Sequence, residues 1–354
     1  MKIETTAKTL LMCALITLSS CTKKTHTPTE GPQPAEVGFT AASQAVWVKG
    51  DEGTTETPTF PYDDFGAWGI ARQGDLVYNL WGNNALMKVA KDTSTDFYKP
   101  DEAAYWIKDY AYSFLAVAPY FEDDDEFGIT SINQVTDALS FTFDMADRYT
   151  DGESEFDLLG AAIAGGPVEG GRTSSQELIF WHILSQVNVD VTFSTDLAGE
   201  AIVGRLTKIT LTDVYTEGQF TISPSSTAIP NVLPTCPIGT NAGKVNLEYT
   251  IPTTSTANEG TFNPDWTFHI IPQVVKDMGL YLDFEINEGT STAPQWVEYK
   301  NIRINLNVDK NQDAYAFNGS YNWRIIIGTG ASIKFEVSVT PWANAEGYNP
   351  EIDM

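Results

Sequence analysis

The chain has 354 residues, with 47 acidic against 21 basic side chains and a formal net charge of −26. That excess of carboxylates excludes nucleic acid and an anionic membrane surface as partners, because both repel it. Hydrophobic residues make up 42% and aromatics 12%, which excludes a disordered chain and supplies enough apolar surface for two domains of ordinary size.

Lys2 and Lys8 precede an apolar run over residues 10–18. The run is too short for a membrane helix, which takes about 20 residues, so residues 1–20 read as a secretory signal. It ends Leu18-Ser19-Ser20-Cys21, which resembles the lipobox of bacterial lipoproteins. In such proteins the cysteine, here Cys21, is acylated and becomes the first residue of the mature chain, held at the cell outer membrane by its lipid. Residues 21–36 are rich in Thr, Pro, Lys and Glu and bury no core, so they form a flexible tether.

Period-two alternation then recurs, the mark of half-buried strands. Strands are expected at residues 65–71, 112–119 and 139–144, separated by Gly, Asn, Asp and Pro. Residues 174–186 are ambiguous between a short helix and a strand with a turn. In QVNVDVTF (186–193) the side chains of Val187, Val189, Val191 and Phe193 share one face. Asp196-Leu197-Ala198-Gly199-Glu200 reads as a boundary between a domain over 37–196 and one over 197–354. Further strands are expected at 206–214, 219–223, 245–251, 266–274 and 323–327. Leu280, Leu282, Phe284 and Ile286 alternate, as do Ile302, Ile304, Leu306 and Val308, and Ile333, Phe335, Val337 and Val339. Many short strands with turn signals imply an all-β chain of antiparallel sandwiches. No clean internal repeat is visible.

Chemistry-bearing motifs are scarce. His26 lies in the tether, His182 in an apolar run and His269 in a strand-like run, with no metal-ligand spacing among them. No nucleophile elbow or phosphate loop occurs. Residues 121–127 (FEDDDEF) read as a solvated loop, with Ca²⁺ binding by Asp123, Asp124 and Asp125 as the alternative. Residues 309–313 (DKNQD) begin like an EF-hand loop but have Ala314 and Ser320 where Gly and an acid are needed, so they read as a hairpin turn. Cys13 leaves with the signal, and Cys236 between Pro234 and Pro237 reads as a half-buried loop residue. Catalytic residues, metal ligands and cofactors are not expected, and the chain is not read as an enzyme.

Several stretches in order resemble the fimbrillin family of pilus subunits and its Mfa-like relatives. They are the lipobox at Cys21, VGFTAASQAVWV (37–48) with the following Lys49, FGAWGIA (65–71), YWIKDYAYSFLAVAPY (105–120), FDLLGAAIAGG (156–166), LIFWHILSQVNVDVTF (178–193) and IKFEVSVTPW (333–342). The resemblance covers nearly the whole chain. It implies two transthyretin-like antiparallel β-sandwich domains in tandem, and a lipoprotein precursor whose tether and first strand are removed by a protease. A strand of the neighbouring subunit then fills the vacated groove by strand addition. Carried over by position, Lys49 is the cleavage residue, with Arg72 the poorer choice. Val37, Phe39, Ala41, Val46 and Val48 are the inward residues of the removable strand. Ile333, Phe335, Val337 and Val339 are the donor strand or the last strand of the second domain. The implied partners are other fimbrial subunits and a surface receptor, the implied role is adhesion, and the implied location is the outer membrane and then the extracellular fimbria. The alternative from a different class is a monomeric surface lipoprotein that binds glycans, since exposed Trp stacks on sugars.

Overall fold

The computed structural model describes residues 34–43, 60–81, 86–95, 97–121, 129–135, 138–146, 156–163, 168–193, 203–225, 230–236, 243–250, 261–262, 267–274, 278–290, 292–304, 306, 315–328 and 333–341. Cys21, Val46, Val48, Lys49, the acidic run at Asp123–Asp125 and the 309–313 turn lie outside them. The elements bounded by these residues are all strands. In chain order the first group is β1 (Phe39–Ser43), β2 (Asp64–Gln73), β3 (Leu76–Asn79), β4 (Met87–Lys91), β5 (Tyr98–Pro100), β6 (Ala111–Ala118), β7 (Ile129–Val135) and β8 (Ala138–Asp144). Next come β9 (Leu159–Ala162), β10 (Val168–Glu169), β11 (Gln176–His182), β12 (Ser185–Phe193), β13 (Gly204–Tyr215), β14 (Glu217–Ser223) and β15 (Asn231–Thr235). The last are β16 (Lys244–Thr250), β17 (Thr261–Phe262), β18 (Thr267–Ile270), β19 (Gly279–Asn287), β20 (Trp296–Ile304), β21 (Gly319–Ile327) and β22 (Ile333–Pro341).

The ambiguous run at 174–186 is two strands, β11 and β12, with the chain turning between His182 and Ser185. The largest sheet runs β10-β6-β9-β11-β1-β5-β4-β2-β3, and β2 also pairs with β6. The path therefore closes into a ring through β6, β9, β11, β1, β5, β4 and β2, with β10 and β3 as side extensions. Inside the ring lies an aromatic core that includes Phe39, Phe65, Trp81, Tyr98, Trp106, Tyr112, Phe114 and Phe180.

The four-stranded sheet β15-β14-β8-β7 covers the outside of the ring. Strands β2 and β6 are buried on both faces as a result. Phe65, Ala67 and Ala71 with Tyr112, Phe114 and Ala116 point into the ring. Trp68 and Ile70 with Leu115 and Val117 point into the second core. This double burial explains the glycines of FGAWGIA: a Cβ on Gly69 would come within 2.9 Å of both Leu80 and Phe114 side chains.

A third core, largely of Val, Ile and Leu, lies between the sheet β16-β13-β19-β20 and a sheet in which β12 pairs with β17, β18 and β21, and β21 with β22. Here the alternation read from the sequence is the observed face: Val187, Val189, Val191 and Phe193 are buried, as are Leu280, Leu282, Phe284 and Ile286. Strand β20 stops at Ile304, short of Val308.

Two features depart from tandem antiparallel sandwiches. First, β1–β11 and β12–β21 are parallel pairs. Second, the expected division at 196/197 does not coincide with a division between sheets. Strand β12, before it, belongs to the third core, while β14, after it, pairs along its length with β8. The cause is a return crossing: the chain leaves the third core after β13 and comes back to β8 to cover apolar surface on β2 and β6 before resuming at β16.

Candidate functional site: the seat of the first strand and the edge of the last

The chain from Ala35 to Ser43 lies in a slot. The Trp106 amide donates to the Ala35 carbonyl at 2.9 Å, the Val37 amide to the Ala104 carbonyl at 2.7 Å, and the Gln176 amide to the Gly38 carbonyl at 2.8 Å. Strand β1 then runs parallel to β11 from Phe39 opposite Gln176 to Ser43 opposite Phe180. On its other side it meets β5 at one position, Phe39 opposite Tyr98. The ring is thus closed through β1, by a long seam on one flank and a single pair on the other.

Period two sets which side chains enter. Val37 and Phe39 are fully buried, Ala41 packs partly buried against the same core, and Ser43 is buried at its end. Phe39 is the main anchor, with ring centroids 5.1 Å from Phe114 and 6.0 Å from Phe65 in edge-to-face contact, and 6.5 Å from Trp81. Burying it contributes about 1.5–3 kcal/mol by area alone. An empty slot would leave these rings open to water and the facing backbone groups of β11 and β5 unpaired, a combination that a strand of matching alternation satisfies.

Of the residues named from the sequence, Val37, Phe39 and Ala41 therefore come together on one inward face. Arg72 sits elsewhere, near the end of β2, opposite Val77 of β3 on one side and Ala111 of β6 on the other. Its backbone belongs to a three-strand ladder, so a protease reaches it only after two pairings open. Residues Ile333, Phe335, Val337 and Val339 lie in β22, opposite Ile327, Ile325, Trp323 and Tyr321 of β21. Strand β22 ends its sheet, with no strand on its other side among the described residues. In this chain it is the last strand of its own sheet. The slot walls, above all Tyr98 and the 104–106 segment, were not legible in the sequence. Strand β5 has three residues, too few to show a period.

The chemistry-bearing side chains do not pair with β1, whose register on β11 ends at Phe180. His182 ends β11, and its Nδ1 is 2.6 Å from Asp157 Oδ2. Burial pushes the Asp157 carboxyl up, but the charge and hydrogen bond of His182, with His269 nearby, outweigh it and hold the carboxyl below its ordinary value. His269 Nδ1 lies 3.0 Å from the Phe156 carbonyl. These histidines are packed and hydrogen-bonded. The Cys236 thiol, half-buried and 3.5 Å from the Glu217 carbonyl, is pushed up to about 12 by burial and by the Glu217 carboxylate. It is a poor nucleophile at neutral pH. Among the described residues no group of three or more His, Cys, Asp or Glu could hold a metal ion.

A fimbrillin-like family model matches residues 54–342. A fimbrial protein of Bacteroides vulgatus has a similar fold, with a TM-score of 0.59 and 15% identity over 87% of this chain and 99% of that one. Candidate cell adhesion proteins of Bacteroides uniformis and Bacteroides ovatus align less closely. Their TM-scores are 0.46 and 0.48, with 16% and 14% identity, each over 89% of this chain and 100% of the other. No curated protein sequence matches the chain. The family match spans most of the sequence, and this chain belongs to the fimbrillin-like family.

Proposed function

We propose that this chain is an adhesive fimbrial subunit made as a lipoprotein, anchored at the outer membrane through Cys21 and matured by loss of its first strand. The observation that carries the reading is topological. Among the described residues, β1 is the one strand N-terminal to Lys49, so a single cut there detaches one strand and opens one slot. A strand of a neighbouring subunit fills that slot, its inward side chains taking the places of Val37, Phe39 and Ala41. Strand β22, or the chain beyond it, is the donor. In the adhesive polymer the subunit works by packing, without catalysis, and meets sibling subunits and a surface receptor.

The test is intact mass and N-terminal sequencing of the protein sheared from cells, with gel analysis of unheated samples. A chain that begins at Gly50 and runs as a high-mass ladder is expected. A chain that begins at acylated Cys21 in every fraction, or a trimmed chain that stays monomeric at high concentration with its sibling subunits, overturns strand exchange.

A second reading, a glycan-binding surface, has one observation in its favour. Trp296 on β20 is 39% exposed, and the Arg205 guanidinium lies 4.3 Å from its ring centroid while hydrogen-bonded to Glu285. Saturable binding on a glycan array that disappears in Trp296→Ala would favour it; a blank array would remove it.

A further inference from the structure

One end of the ring carries an apolar rim whose side chains enter neither the slot nor the cores. Leu76, Val77, Tyr78, Tyr105 and Ile107 are each between 44% and 57% exposed. Strand pairing gathers them at one end. Arg72 lies opposite both Val77 and Ala111, so the tip of the β2–β3 hairpin and the start of β6 share that end. Gly74, at φ +59°, turns the hairpin there. Tyr78 reaches across to Tyr110, with ring centroids 5.9 Å apart. Tyr105 and Ile107 flank Trp106, which plugs the ring, and alternation turns both outward. The Tyr112 hydroxyl ties that segment down, donating to the Tyr105 carbonyl and accepting from the Ile107 amide, both at 2.8 Å.

The chain enters the ring at the same end. Ala35 is hydrogen-bonded to Trp106, and Glu36 bridges to Tyr105. Residues 22–34 separate Cys21 from this point. A segment of that length spans about 20 Å as a flexible coil and about 40 Å when extended. A lipid on Cys21 therefore tethers the chain to the bilayer at this end, within that reach. Five exposed aliphatic and aromatic side chains on a hairpin tip and an adjoining loop suit the interfacial zone, where Tyr sits with its ring in lipid and its hydroxyl in water.

We infer that in the anchored form this rim rests on the lipid surface and orients the subunit with the slot mouth toward the membrane. The inference rests on the reading that Cys21 is acylated. Cleavage at Lys49 would then remove β1 and the tether together and release the rim from the bilayer. The excess of acidic over basic side chains restricts the fit to zwitterionic lipid, since an anionic surface repels the chain.

The test couples the chain beginning at Cys21, carrying Cys236→Ser, through its single thiol to a maleimide lipid in phosphatidylcholine vesicles. A control is coupled to soluble polyethylene glycol, and backbone hydrogen exchange is read in both. At least fivefold slower exchange of residues 74–79 and 105–110 on vesicles is expected, at low protein density, and is lost in the double variant Leu76→Asp, Ile107→Asp. Both positions are exposed, and an unchanged thermal midpoint of that variant verifies its fold. Equal exchange on vesicles and in solution overturns the inference. Protection that appears only at high surface density assigns the rim to a second copy and also overturns it. Because the coupling supplies the anchor chemically, a separate intact mass of the membrane fraction tests acylation itself. An unacylated Cys21 there sinks the anchoring reading whatever the vesicles show.

Discussion

Strands β1 and β12 hold the same topological place in two cores and are built to opposite standards. Each is the first strand of its core, and each pairs in parallel with a later strand, β11 or β21. The parallel register of β1 covers five residues, and that of β12 covers eight. Strand β12 drives Val187, Val189, Val191 and Phe193 into the third core and is flanked on its other side by both β17 and β18. On its outer face Asn188 Nδ2 bonds Ser320 and Asn322 of β21, and Asn188 Oδ1 accepts from Thr267 of β18. Strand β1 has Phe39 as its one large inward residue, preceded by Val37 and followed by Ala41 and Ser43, and meets β5 at one position. The difference teaches that topology does not set how firmly a strand is held. Seam length, the number of large inward side chains and outward hydrogen bonds set it. By these measures β1 is the weakly held strand and β12 the firmly held one.

The largest expected effect comes from placing a charge in the tightly held strand. Val189→Asp buries a carboxylate in an apolar core, at a cost of about 4 kcal/mol or more. Urea unfolding should show the third core lost, and a midpoint close to the parent would break the comparison. Phe39→Ala is expected to cost about 3–5 kcal/mol in the full chain. Added peptide spanning residues 35–43 should restore exchange protection of β11 amides to a chain lacking residues 1–49. Failure of the peptide to protect β11 would mean that β1 is not exchangeable.

Asp157→Asn should cost about 1.5–3 kcal/mol, the loss of a charge-assisted hydrogen bond to His182. The sign of its pH dependence follows from the lowered carboxyl. The folded state favours the ionised form, so its contribution is complete above the unfolded value near 3.8 and fades as pH falls through the lower folded value. The gap between parent and variant should be widest near neutrality and close below pH 3.8. A gap that widens on acidification would reverse the assignment. Gly69→Leu tests the shared wall, with about 1–3 kcal/mol lost to overpacking against Leu80 and Phe114. The smallest effect concerns Cys236, the single thiol of a chain trimmed at Lys49. With its thiol pushed up to about 12, labelling at neutral pH should be roughly 100–1000-fold slower than for a solvent-exposed cysteine, with full reactivity restored in denaturant.

Much of the third core was readable residue by residue, because its strands are long, half-buried and strictly alternating. Val187 to Phe193 and Leu280 to Ile286 show their buried faces directly. The ring was readable only in fragments. Strands β2 and β6 face a core on each side, so their apolar runs show no alternation, and neither the covering sheet nor its crossing from β13 back to β8 leaves a local mark. The run at 174–186 stayed ambiguous for a similar reason: Leu178 and Phe180 face one core while Ile183 and Leu184 face another.

Composition and local periodicity settle strand content and an all-β class, because these depend on residue type and on neighbours two positions apart. Which strands pair in parallel, that β1 closes a ring with one wall made by Tyr98, and that five apolar side chains gather where the chain enters are decided by contacts between residues far apart in sequence. Such contacts follow from the joint burial of several faces at once, which no single segment encodes.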